Sequence, residues 1–235
     1  MFGTSFFADN VAANTGIGGI DTYTKLMLHM DGANAGTTFT DSSLTPKTIT
    51  PLGEATTSTV DFKFATASLL TSTIGGLSTP AHADFNLGTS DFTVDFWINP
   101  TSLAGTNEGL YNQVTNGTDF TTLYLNSNGA IQYRDFESNA DQVTLTTGAG
   151  AIVTGSWQHI ALVRNGNNWN IYVNGTSQAS TTNAHSVATF TGSFQIGYVS
   201  GYTNPVVGYV DEFRWSKGIA RWTSNFTPPA SAYTT

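Results

Sequence analysis

Hydrophobic and polar residues alternate along the segment FTVDFWINP at positions 92–100. A β-strand directs successive side chains to opposite faces, so alternate residues of this segment are predicted to share a face. One face would carry Phe92, Val94, Phe96 and Ile98, and the other Thr93, Asp95, Trp97 and Asn99. Pro100 is expected to end the strand, because proline cannot donate a hydrogen bond to a neighbouring strand.

Two longer segments combine alternating runs with tight-turn residues. The segment TTLYLNSNGAIQYRDF contains Asn128-Gly129, and QHIALVRNGNNWNIYVNGT contains Asn165-Gly166 and Asn174-Gly175. Asn-Gly readily adopts the positive φ angles that short hairpin turns require. These segments are therefore predicted to form an antiparallel meander.

Further short β-forming runs occur along the chain, and no window of helical length shows the 3.6-residue period of an amphipathic helix. These additional strand candidates are residues 26–30, 67–70, 143–145, 193–198 and 207–215. The 24 glycines and the many Thr, Ser and Asn residues also oppose long helices. The pattern predicts an all-β fold, a two-sheet antiparallel β-sandwich, with a closed barrel as the alternative.

The charge balance narrows the possible partners. The 235 residues include 8 Lys and Arg against 16 Asp and Glu, a formal net charge of −8. Such a chain lacks the cationic surface that binds phosphate backbones or anionic lipids, so neither nucleic acid nor a membrane is an expected partner. The chain contains no cysteine, which excludes disulfides and Cys-ligated zinc. It also shows no apolar membrane span and no secretory signal at its start.

Residues 1–24 differ in composition from the rest of the chain. They are rich in Gly, Asn, Thr and Ala, and Phe2, Phe6 and Phe7 are the main apolar anchors. A free segment of this composition is usually disordered. The segment is therefore predicted to be an N-terminal arm that attaches the chain to copies of itself or to another protein. Residues 25–235 are predicted to form the sandwich domain.

The segment GYVDEFRW at 208–215 places Asp211 directly before Glu212. Neighbouring strand residues point to opposite faces, so Asp211 would share a face with Phe213 and Trp215, and Glu212 a face with Arg214. A catalytic carboxylate pair must face one substrate, so these two residues are not predicted to form one. Glu212 is expected to pair with Arg214 or with another nearby cation.

Other catalytic patterns are missing from the sequence. The 4 histidines have no H-x-x-x-H or H-x-H spacing, so no histidine-based zinc centre is predicted. There is no G-x-S-x-G elbow, and GIGG at 16–19 matches neither phosphate-binding glycine motif. The chain is accordingly predicted not to be an enzyme.

Aromatic and amide residues in Gly- and Asn-rich segments are the candidate binding residues. Tyr111 and Asn112 lie in EGLYNQVTNG, and Tyr198, Tyr202 and Asn204 lie in GYVSGYTNPVVG. Aromatic rings contact the C–H faces of sugars, and amides bind sugar hydroxyls. These five residues are predicted to bind a glycan or a partner, with ordinary loop packing as the alternative.

Five motifs together resemble the concanavalin A-like jelly rolls of the laminin-G-like type, particularly those of tailed-bacteriophage virion proteins. The motifs are LMLHMDGANAGTTFTDSS, DFTVDFWINP, SWQHIALVRNGNNWNIYVNGT, GYVDEFRWSKGIARW and NFTPP, in this order between residues 25 and 233. The resemblance implies two antiparallel sheets whose first and last strands lie close together. It also implies packed sheet positions for Trp97 and Trp157, and a structural role for His159.

The resemblance further implies a structural Ca²⁺ site where the first strand meets the last, because similar jelly rolls often bind calcium there. Asp31 and Asp211 would supply carboxylate ligands, with Asp41 as a third candidate. The alternative is that Asp31 and Asp211 accept hydrogen bonds from backbone N–H groups at strand ends.

Three functional hypotheses follow from these observations. The leading one is a non-enzymatic structural protein of a phage virion, either a capsid decoration or a tail or fibre component. The second is a glycan-binding adhesin module that recognises host polysaccharide through its rim loops. The third is a carbohydrate-active enzyme. Glucanases of this fold carry an E-x-D-x-E-like pattern on one strand, which is not found here, and Glu54, Glu108 and Glu137 have loop-like surroundings.

Overall fold

The computed structural model describes residues 19–72, 74–198 and 204–234, which form fifteen strands and one short 3-10 helix at Ala83–Phe85. In chain order, β1 to β15 are Thr24–Leu28, Thr50–Gly53, Thr56–Ser58, Ser68–Thr71, Gly75–Thr79, Phe92–Pro100, Glu108–Asn116, Asp119–Leu125, Ile131–Glu137, Ala140–Thr146, Gln158–Asn165, Asn168–Val173, Thr176–Thr182, Phe194–Ile196 and Gly208–Lys217. The all-β prediction is confirmed, and the predicted strand at 92–100 has the observed bounds of β6.

The strands form two antiparallel sheets. The eight-stranded sheet has the order β13-β12-β11-β6-β15-β4-β3, and β1 also pairs with β15. The seven-stranded sheet has the order β10-β9-β8-β7-β14-β5-β2. One edge of β15 is therefore divided between β4, which pairs with residues 208–210, and β1, which pairs with residues 213–216. The expectation that the first and last strands lie close together is confirmed.

The main core lies between the two sheets. It contains the four residues of β6 that the alternation placed on one face, Phe92, Val94, Phe96 and Ile98. Burial of each such side chain contributes roughly 1.5–3 kcal/mol to folding. Aromatic rings join the two layers: Tyr133 of β9 stacks on Trp169 of β12 at 5.6 Å between ring centres.

The outer face of the eight-stranded sheet is also covered, so every residue of β6 is buried. The chain after β15 crosses this face, where Trp222 stacks on Phe226 at 4.1 Å above a small apolar cluster that includes Ala161 and Val163. The polar residues that alternation placed on the outer side of β6 therefore lie beneath another layer of the chain.

A bulge in β15 changes the predicted arrangement of its side chains. Between Asp211 and Arg214 the strand contains one residue more than its partner β6, and Glu212 has a φ of 52°. Phe213 and Trp215 consequently lie in the core, whereas Asp211 lies opposite Trp97 on the outer face. The prediction that Asp211 shares a face with Phe213 and Trp215 is wrong, because it assumed uninterrupted alternation.

The two ends of the described chain lie side by side. The backbone N–H of Ile20 donates to the carbonyl of Thr234 at 2.7 Å, and Thr24 already begins β1. The predicted anchors Phe2, Phe6 and Phe7 lie outside the described residues, so the attachment role of the arm stays a prediction. Within the described ranges, no helix is long and apolar enough to cross a membrane.

Candidate functional site

Aromatic and amide side chains meet on the outer face of the eight-stranded sheet, at the end where β6 stops and β15 begins. Asn99 of β6 pairs with Tyr209 of β15, and Trp157 directly precedes β11. The ring centres of Trp157 and Tyr209 are 6.5 Å apart, and both residues are partly exposed. Together with Asp61 these residues form what we call the rim patch.

Asp61 holds the rim patch together. One carboxylate oxygen accepts a hydrogen bond from Nε1 of Trp157 at 2.8 Å, and the other accepts from Nδ2 of Asn99 at 2.7 Å. The Oδ1 atom of Asn99 is buried and has no hydrogen-bond partner within the protein. The patch therefore combines two partly exposed aromatic rings with a buried amide that Asp61 holds in place.

Asp211 fixes the loop that carries Asp61. Its Oδ2 atom accepts hydrogen bonds from the backbone N–H groups of Lys63 at 2.8 Å and Phe64 at 3.1 Å. Lys63 Nζ lies 4.0 Å from the ring centre of Trp97, which the loop covers. Burial raises the pKa of Asp211 to about 8, although the N–H donors oppose this shift. Asp211 thus holds in place the loop that positions Asp61 in the rim patch.

A groove of about 320 Å³ lies at the same end of the sandwich. Its lining residues are Ser102, Ala104, Gly105, Glu108, Asn204, Pro205 and Val207. Asn204 Nδ2 donates to the carbonyl of Thr106 at 2.7 Å, which joins the two sides of the groove. Glu108 Oε1 accepts from the N–H of Gly105, while Oε2 is buried without a partner, and burial raises the pKa of this carboxyl.

The structure separates the five predicted glycan-binding residues. Tyr111 and Asn112 are fully buried in β7, and the Tyr111 ring stacks on Phe194 in the core. Their predicted loop position is wrong, because the Gly- and Asn-containing segment forms a strand in the middle of the sheet. Tyr198 follows β14 and is half-buried, Asn204 lines the groove, and Tyr202 lies outside the described residues.

Sequence reasoning did not find the rim patch. Trp97 is packed as predicted, but Trp157 is partly exposed. In GYVDEFRW, the residues alternate between the two faces of the strand, so Tyr209 lies on the face opposite the core residue Val210. This alternation could have predicted that Tyr209 lies on the outer face. No sequence pattern indicates Asp61, because its contacts depend on the loop at 59–66 crossing the outer face of the sheet.

Protein hydrogen bonds engage each of the three predicted calcium ligands. Asp31 accepts from the N–H and hydroxyl of Thr66, and Asp41 accepts from several groups that include the N–H of Met27. Asp211 accepts the loop N–H groups described above. These contacts match the alternative stated for Asp31 and Asp211, and calcium binding at these residues stays a prediction.

A buried ionic network lies on the outer face beside the covering C-terminal segment. Arg214 donates to both carboxylate oxygens of Asp95, at 2.9 and 3.2 Å, and the Tyr233 hydroxyl also donates to Asp95. Burial by itself would raise the pKa of Asp95, but the charge of Arg214, followed by His159, lowers it to about 2. This network is structural, because its members are fully or nearly fully buried.

Glu212 pairs with the second of its two predicted partners, another nearby cationic side chain, and not with Arg214. Arg214 pairs with Asp95, and Oε1 of Glu212 contacts Nδ1 of His29 at 2.7 Å. The other carboxylate oxygen accepts the backbone N–H of Tyr233 at 2.9 Å. Glu212 therefore joins β1, β15 and the C-terminal segment, which is how the Asp-Glu pair of GYVDEFRW contributes to closing the fold.

Two acids that were not paired in the sequence meet on β9. Glu137 lies at the end of this strand and not in a loop, two residues after Asp135 on the same face. His185 Nε2 lies 3.0 Å from Glu137 Oε1. Burial, followed by the charge of Glu137, raises the pKa of Asp135 to about 8. The alternating D-x-E of Asp135 and Glu137 was the signal that could have found this pair.

Residues 72–221, more than half of the chain, match the family model described as the concanavalin A-like lectin/glucanases superfamily. The chain belongs to this superfamily. The predicted fold is thereby confirmed, and the narrower likeness to phage virion proteins stays a prediction. No curated protein sequence matches the chain.

Solved structures of this superfamily fold include carbohydrate-associated domains. Domain 4 of the GH43 extracellular arabinanase AbnA from Geobacillus stearothermophilus, in complex with arabinotriose, is 19% identical with a TM-score of 0.60; the match covers 84% of this chain and 93% of that one. A structure of botulinum neurotoxin type C, whose cell entry depends on interaction with two ganglioside molecules, is 14% identical with a TM-score of 0.64. That match covers 85% of this chain and 49% of the toxin chain, so this superfamily member spans about half of the toxin chain. At these identities the likeness shows the fold alone.

Proposed function

We propose that this superfamily member is a non-enzymatic carbohydrate-binding module whose rim patch contacts the saccharide. The observation that carries the proposal is the pair of partly exposed rings, Trp157 and Tyr209, whose centres lie 6.5 Å apart. Aromatic rings pack against the C–H faces of sugars, so two partly exposed rings at this spacing can hold a saccharide.

The rim patch is held in place before any ligand arrives. Asn99 and Tyr209 belong to paired strands of the sheet, and Asp61 bonds to both Asn99 and Trp157. A saccharide would therefore meet side chains that lose little conformational freedom on binding, which favours affinity. The groove at Asn204, at the same end of the sandwich, has a volume of about 320 Å³ and could accept a second sugar unit.

Binding without hydrolysis fits the carboxylates at this end of the molecule. Hydrolysis of a glycoside requires two carboxyl groups that face one scissile bond. Asp61 is occupied by hydrogen bonds from Trp157 and Asn99, and Glu108 is 1% exposed. Among the described residues of the patch and groove, these are the two acids, and neither is free to act on a bound sugar.

The superfamily neighbours give independent support for a sugar ligand. The arabinanase domain was solved with arabinotriose, and a botulinum neurotoxin DC binding domain was solved with SialylT. A host-surface glycan remains the ligand class that we propose for this chain. The virion location and the attachment role of residues 1–24 are finer predictions that rest on the motif resemblance.

The proposal is tested by screening the chain on a glycan array that includes arabinotriose and sialylated oligosaccharides, followed by titration of any hit. Trp157→Ala is expected to weaken binding at least tenfold, because it removes a stacking ring, and Trp157→Phe is expected to restore part of it. Tyr23→Ala is the control, since Tyr23 is an exposed aromatic residue beside the other end of β15.

Two results would contradict the proposal. One is an array without any bound glycan for a chain that is folded by circular dichroism. The other is equal binding by the wild type and Trp157→Ala, which would move the site away from the rim patch.

A further inference from the structure

Three potential metal ligands converge at a place separate from the rim patch. Asp135 and Glu137 project from one face of β9, and His185 lies on the connection between β13 and β14. His185 Nε2 is 3.0 Å from Glu137 Oε1 and 3.4 Å from Asp135 Oδ2. One ligand atom from each of these three side chains lies within 4.8 Å of the other two.

The backbone around His185 is fixed by hydrogen bonds from several elements. Arg164 Nη2 donates to the carbonyl of His185 at 2.8 Å, and the N–H of His185 donates to Asn183 Oδ1 at 2.8 Å. Glu137 Oε1 accepts the N–H of Ala188 at 2.6 Å, which joins the same connection to β9. The three ligands are therefore placed by the fold and not by chance contact of mobile side chains.

The buried carboxyl group of Asp135 is the observation that indicates a bound metal ion. It is 0% exposed, and neither of its carboxylate oxygens accepts a hydrogen bond from the protein. A buried polar group without a hydrogen bond is costly, and buried carboxyl groups in proteins are usually hydrogen-bonded or coordinate a metal. Arg164 does not satisfy it, because its guanidinium nitrogens donate to the carbonyls of Gly166, Gly88 and His185.

We propose that Asp135, Glu137 and His185 bind one divalent transition-metal ion of the Zn²⁺ type. Zinc accepts imidazole nitrogen and carboxylate oxygen at about 2.0–2.2 Å, so two tetrahedral ligands are about 3.3 Å apart. The distances of 3.0 and 3.4 Å from the imidazole to the two carboxylates agree with that geometry. Calcium is disfavoured, because it takes six to eight oxygen ligands and an imidazole is not among them.

The ion would fasten the β13–β14 connection to β9. Ions can enter from solvent, because the side chains of Glu137 and His185 are 16% and 21% exposed while Asp135 forms the buried floor. With three protein ligands, a tetrahedral ion keeps one position for water. The absence of H-x-x-x-H spacing does not argue against this site, because its ligands come from distant parts of the chain.

The test is calorimetric titration of the chelator-treated full chain with ZnCl₂, together with the absorption spectrum of the CoCl₂-loaded chain. We expect one Zn²⁺ per chain and the visible bands of tetrahedral or five-coordinate Co²⁺. His185→Gln is expected to weaken Zn²⁺ binding at least tenfold. The control His82→Gln, whose side chain is 52% exposed outside the cluster, is expected to bind Zn²⁺ as the wild type does.

A second variant, Asp135→Asn, distinguishes the loss of a metal ligand from the loss of the folded structure. It is expected to lose Zn²⁺ binding while the metal-free chain keeps the wild-type melting temperature, because the asparagine side chain has nearly the same size and shape as the aspartic acid side chain. The proposal is overturned if the wild type binds no Zn²⁺, or if Asp135→Asn and His185→Gln bind it with wild-type affinity. Equal or tighter binding of CaCl₂ would overturn the assignment to a transition metal.

Discussion

The hydrogen-bond partners of Asp211 and Glu212 are determined by the chain segments that pack over them. Asp211 accepts backbone N–H groups from the loop at 59–66, and Glu212 contacts His29 and the N–H of Tyr233. The two residues are adjacent in the sequence, but the bulge directs their side chains to different partners. Both residues are buried, and both hold covering segments on the sheet.

The contact between His29 and Glu212 predicts a dependence of stability on pH. The hydrogen bond to Glu212 raises the pKa of His29 above its ordinary value of 6.5. The folded state then holds the proton more tightly than the unfolded state, so the stabilisation is complete below pH 6.5 and is lost as the pH rises through the raised pKa. The unfolding free energy should fall over this range.

Urea unfolding of the wild type and of His29→Gln between pH 5 and pH 9 measures this effect. The difference in unfolding free energy between the two proteins is expected to shrink as the pH rises, whereas His82→Gln, at an exposed histidine, should follow the wild type. A difference that is constant with pH would show that Glu212 does not hold a proton on His29.

At the scale of elements, the two Asn-Gly turns on either side of β12 have the same sequence signal and different surroundings. Gly166 has a φ of 59° with open space around its Cα. Gly175 has a φ of 75°, and a Cβ atom there would lie within 1.9 Å of the carbonyl oxygen of Phe226. The second turn is thus a docking point for the C-terminal segment as well as a hairpin.

Replacing each glycine by alanine separates these two roles. Gly166→Ala is expected to lower the unfolding free energy by about 1–2 kcal/mol, the cost of a left-handed conformation for a residue with a Cβ atom. Gly175→Ala should cost clearly more, because the segment at Phe226 must also move away. Thermal and urea unfolding measure both changes in unfolding free energy. Equal changes for the two variants would mean that the C-terminal segment moves away from residue 175 without any loss of stability.

At the scale of the molecule, the buried network around Asp95 joins the sheet to both ends of the described chain. Arg214 also donates to the carbonyl of Gly19 at 3.2 Å, and its guanidinium lies 3.7 Å from the ring centre of Tyr233. This one buried ion pair therefore ties both ends of the described chain to the eight-stranded sheet. Removal of one partner from such a pair leaves an uncompensated buried charge.

Asp95→Asn is accordingly expected to lower the unfolding free energy by about 3–5 kcal/mol. The matched control is Asp141→Asn, which breaks the exposed Arg134–Asp141 contact and should cost less than about 1 kcal/mol. Denaturant unfolding at pH 7 compares the two. If Asp95→Asn lowers the unfolding free energy as little as Asp141→Asn does, the Asp95–Arg214 ion pair does not stabilise the covering layer.

The sequence by itself determined the fold class, most strand positions and the inward face of β6, because local alternation and Asn-Gly turns act over a few residues. Tertiary structure decided what covers the outer face, since the packing of loop 59–66 and of the C-terminal segment depends on contacts between distant residues. Tyr111 was placed in a loop because its neighbours are turn-forming residues, whereas pairing with two strands buries it. The rim patch and the Asp135–Glu137–His185 group arise from the same long-range packing, so no local pattern could assemble either one.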